Sequence, residues 1–170
     1  VILVGDPGRV DMVSSFFQTI EFKRESREFV SCTGVYNGKR MTVLSTGIGC
    51  DNLDIVMNEL DALVNIDFDT KEVKKELKSL RILRIGTSGS IQPDIPVGAY
   101  VFSHISLGAD GLLNWYANRD EVSYKEMEEA FVRDVNWDEN LPKPYFIKAA
   151  DELVDLFKDC TQKGVTISAS

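Results

Sequence analysis

Three arginines are the residues of this chain that point most directly to chemistry. Arg9 follows the tight loop Gly5–Gly8, Arg27 precedes an apolar run, and Arg84 lies inside another. A guanidinium is a planar fork of donors that matches the oxygens of phosphate or carboxylate in pairs. The chain as a whole is acidic, with a formal net charge of −8. It would therefore bind an anion through a few local arginines rather than through a broad basic face.

The loop Gly5–Arg9 (GDPGR) stands between a predicted strand and a predicted helix. It follows the apolar run Val1–Val4, and its Pro7-Gly8 pair is a turn signal. Apolar residues then recur at helical spacing, at Val10, Val13, Phe16 and Phe17. Such a loop aims backbone N–H groups and a helix N-terminus at one point, which favours an anion. The residues also fit an ordinary strand-to-helix turn with Arg9 on the surface, and they match neither a Walker loop nor a dinucleotide fingerprint.

Arg84 belongs to the predicted strand 80–85, which contains no acidic residue. We expect its guanidinium to be buried, and a buried charge needs a partner. That partner is either an acidic group at a subunit contact or a bound anion, and we favour the anion. Glycines and hydroxyls follow the strand, at Gly86, Thr87, Ser88 and Gly89. The hydroxyls can donate to a ligand, and the glycines let it approach the backbone closely.

The hydrophobic pattern predicts strands that alternate with helices. Strands are predicted over 1–4, 20–23, 29–36, 40–45, 80–85, 100–105 and 164–170. Helices are predicted over 10–17, 53–63, 72–77, 124–133 and 145–160, with Asp51 or Asn52 as the cap of the second. Asn37-Gly38 predicts a tight hairpin, and Thr46–Asn52 is a second glycine loop after a strand. This order is typical of an α/β fold, in which ligands bind beyond the carboxyl ends of the strands.

Composition excludes several classes of protein. The negative net charge argues against general binding of nucleic acid, and a single histidine cannot build a histidine metal site. Three cysteines, Cys32, Cys50 and Cys160, lack metal-ligand spacing, and their odd number favours reduced thiols in a cytosolic protein. No apolar run reaches membrane-spanning length, and nothing resembles a signal peptide. Both ends look truncated, because the chain starts without Met inside an apolar run and stops just after another.

Four stretches, taken together and in this order, resemble the nucleoside phosphorylase family that includes uridine phosphorylase and the hexameric bacterial purine nucleoside phosphorylases. They are Gly5–Arg9 (GDPGR), Ser26–Phe29 (SREF), Ser45–Gly49 (STGIG) and Leu83–Gly89 (LRIGTSG). One such motif is weak evidence, but four in register are specific. The resemblance covers the chain apart from the charged segment 65–79, which we interpret as a surface insertion. It is closest to uridine phosphorylase.

The resemblance implies a fold and a set of site residues. The fold would be a three-layer αβα arrangement around a central twisted mixed sheet, as one nucleoside phosphorylase domain over 1–170. Family members hold phosphate through residues that match Gly5, Arg9, Arg84 and Thr87, joined by an arginine of the neighbouring subunit that matches Arg27. The nucleoside lies over residues that match Thr87, Ser88 and Gly89, and Arg84 and Thr87 would be the catalytic pair. Members assemble as dimers or trimers of dimers, because the active sites are shared.

The implied reaction is the reversible phosphorolysis of uridine to uracil and ribose 1-phosphate. Inorganic phosphate is the co-substrate, no cofactor is required, and a cytoplasmic homo-oligomer without nucleic-acid or membrane partners is expected. A purine nucleoside phosphorylase, a hydrolytic nucleosidase and a non-catalytic nucleoside-binding protein of the same fold stay open. Arg9 counts against the nucleosidase, which needs no arginine in the first loop. In the family, the residues that select the base and grip the ribose lie beyond Ser170.

A monovalent cation is a further implication of the resemblance. Bacterial uridine phosphorylases hold such an ion between subunits, at positions that match Glu28 and Ile48. Asn52 stands where those enzymes have serine, which departs from the pattern.

Overall fold

The computed structural model describes residues 1–157 and the backbone of residues 162–168. These residues form two compact units, Val1–Ser88 and Gly89–Ser170. The boundary falls inside the motif Leu83–Gly89, so Gly89 belongs to the second unit. The expectation of a single domain over 1–170 stays a prediction.

The elements of the first unit are β1 Ile2–Val4, α1 Gly8–Ser14, β2 Thr19–Ser26, β3 Phe29–Tyr36, β4 Lys39–Ser45, α2 Cys50–Asn65, β5 Ile66–Asp67, β6 Glu72–Val73 and β7 Leu83–Ile85. The unit is built on a five-stranded mixed sheet in the order β2-β3-β4-β1-β7. Strand β1 runs parallel to β4 and β7, whereas β2, β3 and β4 form an antiparallel meander. A mixed sheet with helices confirms the predicted α/β class.

The strand register brings several chain turns to the end of this sheet at which β1, β4 and β7 terminate. We call this end the sheet edge. Val4, at the end of β1, pairs with Ser45 of β4 and with Ile85 of β7. The carboxyl ends of these three parallel strands therefore lie side by side. The turn between β2 and β3 lies at the same edge, because β3 is antiparallel to β4 and Ser31 pairs with Leu44.

The core of the first unit lies between helix α1 and the central strands. Its buried members are Val4, Val10, Val30, Cys32 and Val43, with Ile2, Val13 and Phe17 packed against them. Val30 and Cys32 are two positions apart in β3, so both side chains lie on the face of the strand that packs into the core. Burial of each such valine contributes roughly 1.5–3 kcal/mol before the cost of ordering the chain.

The Asn37-Gly38 hairpin is confirmed. Both residues have positive φ angles, 46° and 73°, and the flanking Tyr36 and Lys39 are paired across the strands. Two successive positive φ angles define the type I′ turn, whose twist matches that of the strands. The sequence therefore fixes the register of β3 against β4.

Two local predictions for the first unit are wrong. The segment 72–77 does not form a helix, since Glu72–Val73 is strand β6 and pairs with β5. The Asp67 carboxylate accepts hydrogen bonds from two following backbone N–H groups at 2.9 and 3.2 Å, which turns the chain back on itself. Helix α2 begins after Gly49, without a side-chain cap, so neither Asp51 nor Asn52 is its cap.

The second unit contains a three-stranded sheet in the order β10-β8-β9. Its elements are β8 Val101–Gly108, a 3₁₀ turn Leu112–Trp115, α3 Arg119–Val122, α4 Lys125–Asp134, β9 Tyr145–Lys148, α5 Asp151–Phe157 and β10 Gln162–Ser168. Strand β8 is parallel to β10 and antiparallel to β9.

The predicted helix 145–160 is wrong in its first part. Tyr145–Lys148 is strand β9. Within the described part of the span 145–160, only Asp151–Phe157 is helical. Tyr145 pairs with Gly108, and its ring occupies the space that a Cβ at Gly108 would need, 2.2 Å away. The partner strand therefore decides the structure here, because an aromatic side chain can cover a cross-strand glycine only in the extended conformation.

The second unit contains a buried ion pair that was not predicted. Arg119 donates to Glu128 at 3.1 Å, and Glu128 is fully buried. The same guanidinium donates to the Pro144 carbonyl at 3.0 Å and to Asn114 Oδ1 at 2.7 Å. These bonds satisfy the charge of Arg119, and they link it to the segments that carry Asn114, Glu128 and Pro144.

Two of the three cysteines lie among the described residues, and the expectation of reduced thiols in a cytosolic protein stays a prediction. Cys32 is buried, Cys50 is half-buried, and both are free thiols. Cys160 lies outside the described residues.

Candidate active site

The first loop is held by its own side chains and leads into helix α1. Asp6 Oδ1 accepts a hydrogen bond from the Gly8 N–H at 2.8 Å, and the Asp6 carbonyl accepts one from the Arg9 N–H at 3.1 Å. The acidic residue of the motif thus folds the turn. Arg9 is half-buried.

Arg9 reaches the loop that follows β7. Its Nη2 donates to Thr87 Oγ1 at 3.4 Å, a long hydrogen bond between residues 78 positions apart in the chain. The contact joins the first predicted anion-binding motif to the last one of the same unit. It follows from the sheet order, because β7 lies directly beside β1.

The guanidinium of Arg84 lies between two glycines. Its Nη2 would be 3.6 Å from a Cβ at Gly5, and its Nη1 would be 3.0 Å from a Cβ at Gly86. Across the sheet, Arg84 pairs with Leu3 of β1. The glycines therefore leave room beside the guanidinium, as the motifs predict.

The prediction that Arg84 is buried is wrong. The residue is exposed, because β7 is the edge strand of the first unit's sheet. A solvated guanidinium does not need a partner, so burial no longer supports an anion at this position. What supports it is the arrangement with Arg9: within the described residues, neither guanidinium forms an ion pair with a carboxylate. Two positive groups at one sheet edge attract an anion between them.

Arg27 lies at the same edge but farther along it. It occupies the two-residue turn between Ser26 and Phe29, with a positive φ of 56°, and is exposed. Strand β3 is two positions from β1 in the sheet, which is roughly 10 Å at the usual strand spacing. The backbone of the Arg27 turn thus lies about two strand spacings from the strand that leads into the loop of Arg9.

The second glycine loop lies between these two places. Gly47 and Gly49 have φ angles of 72° and 106°, which other residues adopt only with strain. A Cβ at Gly47 would lie 2.8 Å from Asn52 Nδ2 and 3.2 Å from Glu28 Cγ. Any larger residue at position 47 would therefore push apart the loop and the Arg27 turn.

The positions expected to hold a monovalent cation are only partly suited to it. Asn52 Nδ2 donates to the Ile48 carbonyl at 3.1 Å, so an N–H group already occupies one of the two lone pairs of that oxygen. Glu28 lies close by, against Gly47. Within the described residues, no three His, Cys, Asp or Glu side chains cluster in a way that could hold a metal.

The expected nucleoside-binding residues divide between the two units. Thr87 and Ser88 are exposed beside Arg84 in the first unit, and Gly89 begins the second. A Cβ at Gly89 would meet no atom within 4 Å. Their contact with a nucleoside stays a prediction.

Ser45 is a residue that sequence reasoning missed. It belongs to the STGIG motif, is fully buried, and its hydroxyl forms hydrogen bonds with the backbone on either side of Phe29. A serine at a strand end carries no signal of this role, because the bond partners are brought to it by the neighbouring strand.

The geometry is that of an α/β protein with Arg9, Arg84 and Thr87 at one edge of its first sheet. The chain belongs to the phosphorylase superfamily, because the model of that family matches residues 1–169. It is 34% identical over 110 residues to the uridine phosphorylase of Haemophilus influenzae, covering 65% of this chain and 38% of that enzyme. It is 34% identical over 115 residues to a DeoD-type purine nucleoside phosphorylase of a Thermoanaerobacter species, covering 67% and 43%.

A solved structure is similar over nearly the whole chain. The nucleoside phosphorylase of Trypanosoma brucei, described as showing uridine phosphorylase activity, superposes with a TM-score of 0.77 at 28% identity. The match covers 99% of this chain and 62% of that one. The chain thus spans less than two thirds of these relatives.

Among the described residues, no helix has the length and apolar character that crossing a bilayer requires.

Proposed function

We propose that this chain supplies the phosphate-binding part of a nucleoside phosphorylase that acts on uridine. The observation that carries the proposal is the placement of Arg84 at the glycine-lined sheet edge where Arg9 contacts Thr87. Two positive charges and a hydroxyl suit a small tetrahedral anion that offers several oxygens. Family membership gives that anion a role, since phosphorylases use phosphate as a co-substrate.

The proposed reaction is a displacement at the anomeric carbon of ribose. A phosphate oxygen forms a bond to C1′ while the bond from C1′ to the base nitrogen breaks. The base leaves with that electron pair and takes up a proton. Because the transition state carries positive charge on the ribose, a phosphate held beneath it acts as nucleophile and as counter-charge.

The arginines and the hydroxyl have separate roles in this proposal. Arg9 and Arg84 hold the phosphate, and each charge-assisted contact contributes roughly 1.5–3 kcal/mol. Thr87 donates to a phosphate oxygen or to the nucleoside above it. Gly5 has no side chain, so the phosphate can approach the backbone beside Arg84. Ser88 and Gly89 line the nucleoside.

Uridine is proposed as the substrate on the strength of two relatives. They are the Haemophilus enzyme, named a uridine phosphorylase, and the trypanosome structure, described as having that activity. The purine alternative has support of its own, since the Thermoanaerobacter enzyme is equally similar and a guanosine phosphorylase of Halorubrum lacusprofundi is 26% identical over 99% of this chain.

Arg27 is proposed to complete the site of a neighbouring subunit. It is exposed at the same sheet edge yet roughly two strand spacings from β1, so it is available to a second chain. This makes the protein a homo-oligomer, a dimer or a trimer of dimers, and we propose that it works in the cytoplasm. The interfacial monovalent cation near Glu28 and Ile48 stays a prediction, and the bond from Asn52 to Ile48 counts against it.

The test is a substrate panel on the intact gene product. We expect release of uracil from uridine that depends on added phosphate, together with formation of ribose 1-phosphate. Rapid cleavage of inosine or guanosine, with uridine left intact, would replace uridine by a purine nucleoside. Cleavage that is unchanged without phosphate would indicate a nucleosidase, and nucleoside binding without any cleavage would indicate a binding protein.

A further inference from the structure

Ser45 is the last residue of β4, and its hydroxyl holds the turn that carries Arg27. The side chain is fully buried. Ser45 Oγ accepts a hydrogen bond from the Val30 N–H at 2.7 Å and donates one to the Glu28 carbonyl at 2.9 Å. One hydroxyl thus bonds to the backbone on both sides of the position where the turn enters β3.

These two bonds extend the sheet beyond its ladder. The pairing of β3 with β4 starts at Ser31 and Leu44, so the backbone of Val30 and Glu28 lies past the last backbone pair. Without Ser45 a buried N–H and a carbonyl would lose their partner, which is costly in a protein interior. The Ser45 hydroxyl therefore replaces the backbone hydrogen bonds that one more paired strand residue would form.

The turn needs such an anchor because its backbone is unfavourable. Arg27 has a φ of 56°, in the left-handed region that a residue with a side chain enters only when its surroundings impose it. Ser45 is followed directly by Thr46, whose N–H donates to the Val4 carbonyl at 2.8 Å. The turn is consequently tied to the same strand end that borders the site of Arg9 and Arg84.

We infer that Ser45 is a positioning residue that aims Arg27 at the anion site of the neighbouring subunit. The inference rests on the proposed function, since it needs Arg27 to serve a partner. Its distinctive consequence is that Ser45 acts in trans. Loss of its hydroxyl affects the phosphate site of the adjacent chain and leaves the site formed by its own Arg9 and Arg84 intact.

The first measurement is independent of activity. In the intact gene product, Ser45→Ala should speed the amide hydrogen exchange of the peptide that spans residues 26–30. Ser14→Ala is the matched control, because Ser14 is also a buried serine of the first unit and its hydroxyl donates within helix α1, to the Asp11 carbonyl. Unchanged exchange in Ser45→Ala would overturn the anchoring role, whatever the enzyme proves to catalyse.

The second measurement is kinetic. Ser45→Ala should raise the KM for phosphate roughly 3- to 10-fold, the effect of one net hydrogen bond, with a smaller change in kcat. Ser14→Ala should leave the KM unchanged. Ser45→Thr keeps the hydroxyl and should keep a near-normal KM, even if the extra methyl lowers stability. A normal KM in Ser45→Ala would contradict the inference.

Subunit mixing separates action in trans from action in cis. When Ser45→Ala exchanges subunits with an excess of Arg9→Ala, each sound pocket of the first variant receives a correctly held Arg27 from the second. The KM of the mixture should return to the wild-type value. A KM that stays high after proven exchange would place the effect in Ser45's own pocket and overturn the inference, whereas a wild-type protein without phosphorolysis would refute the proposed function itself.

Discussion

Replacing Arg84 by alanine should weaken phosphate binding about tenfold while leaving the fold intact. A charge-assisted hydrogen bond contributes roughly 1.5–3 kcal/mol, and the lower end applies because Arg84 is exposed to solvent. About 1.5 kcal/mol corresponds to roughly a tenfold change in an equilibrium constant. The side chain fills no part of the core, so the free energy of unfolding should change by less than about 0.5 kcal/mol.

Two assays on the intact gene product measure this change. The first is the KM for phosphate in phosphorolysis of uridine. The second is the rise in thermal midpoint on adding phosphate, which reports binding without catalysis. Arg24→Ala is the matched control, because Arg24 is an exposed arginine of the same unit whose guanidinium donates to the neighbouring Lys23 carbonyl at 3.1 Å.

The control should keep the wild-type response in both assays. Equal losses of phosphate binding in Arg24→Ala and Arg84→Ala would mean that phosphate is attracted only by the overall positive charge of exposed arginines and not by a specific site. Full phosphate protection in Arg84→Ala would refute the assignment of this residue to the anion site.

Three further predictions concern stability, each followed by denaturant or thermal unfolding. Gly34→Ala should destabilise the first unit by roughly 1–3 kcal/mol, because the new Cβ would lie 2.3 Å from the Thr19 carbonyl oxygen; wild-type stability would show that the strands can move apart. Glu128→Ala should cost about 1.5–3 kcal/mol, because Arg119 loses its fully buried carboxylate partner and keeps, among the described residues, only the exposed carboxylate of Asp120; a loss below about 0.5 kcal/mol would contradict that. The hydrogen bond from Lys125 lowers the pKa of Asp120. The small contribution of the Asp120 carboxylate to stability is therefore present above about pH 4 and is lost as the pH falls further. Asp120→Asn should flatten that part of the stability profile, and an unchanged profile would count against the contact.

Much of the first unit could be predicted from the sequence, because its signals are local. The Asn37-Gly38 turn requires positive φ angles that glycine and asparagine tolerate, so the hairpin and its register follow from two residues. The first loop was predicted for a similar reason, since proline and glycine define the turn between β1 and α1.

The failures lie where a partner segment decides the structure. Tyr145–Lys148 has a pattern that also fits a helix, and it becomes a strand because it pairs with β8. The sequence predicts Asp51 or Asn52 as the cap of α2, because such side chains favour caps. The N-cap is instead Gly49, which has a positive φ of 106° and no side chain to form a cap hydrogen bond. Such outcomes depend on residues far away in the chain, which local periodicity does not encode.

The sequence by itself determined which groups are available for chemistry: a glycine loop with Arg9, a strand with Arg84, and Thr87 after it. Only the tertiary structure decided that these groups lie at one edge of the sheet, because the order β4-β1-β7 and the parallel register bring three strand ends together there. It also decided that Arg84 is exposed and that Arg27 lies elsewhere on that edge, held by Ser45. The physical reason is that residue types fix the charge and hydrogen-bonding capacity of each side chain, whereas burial and distance arise from contacts between segments that are remote in the chain.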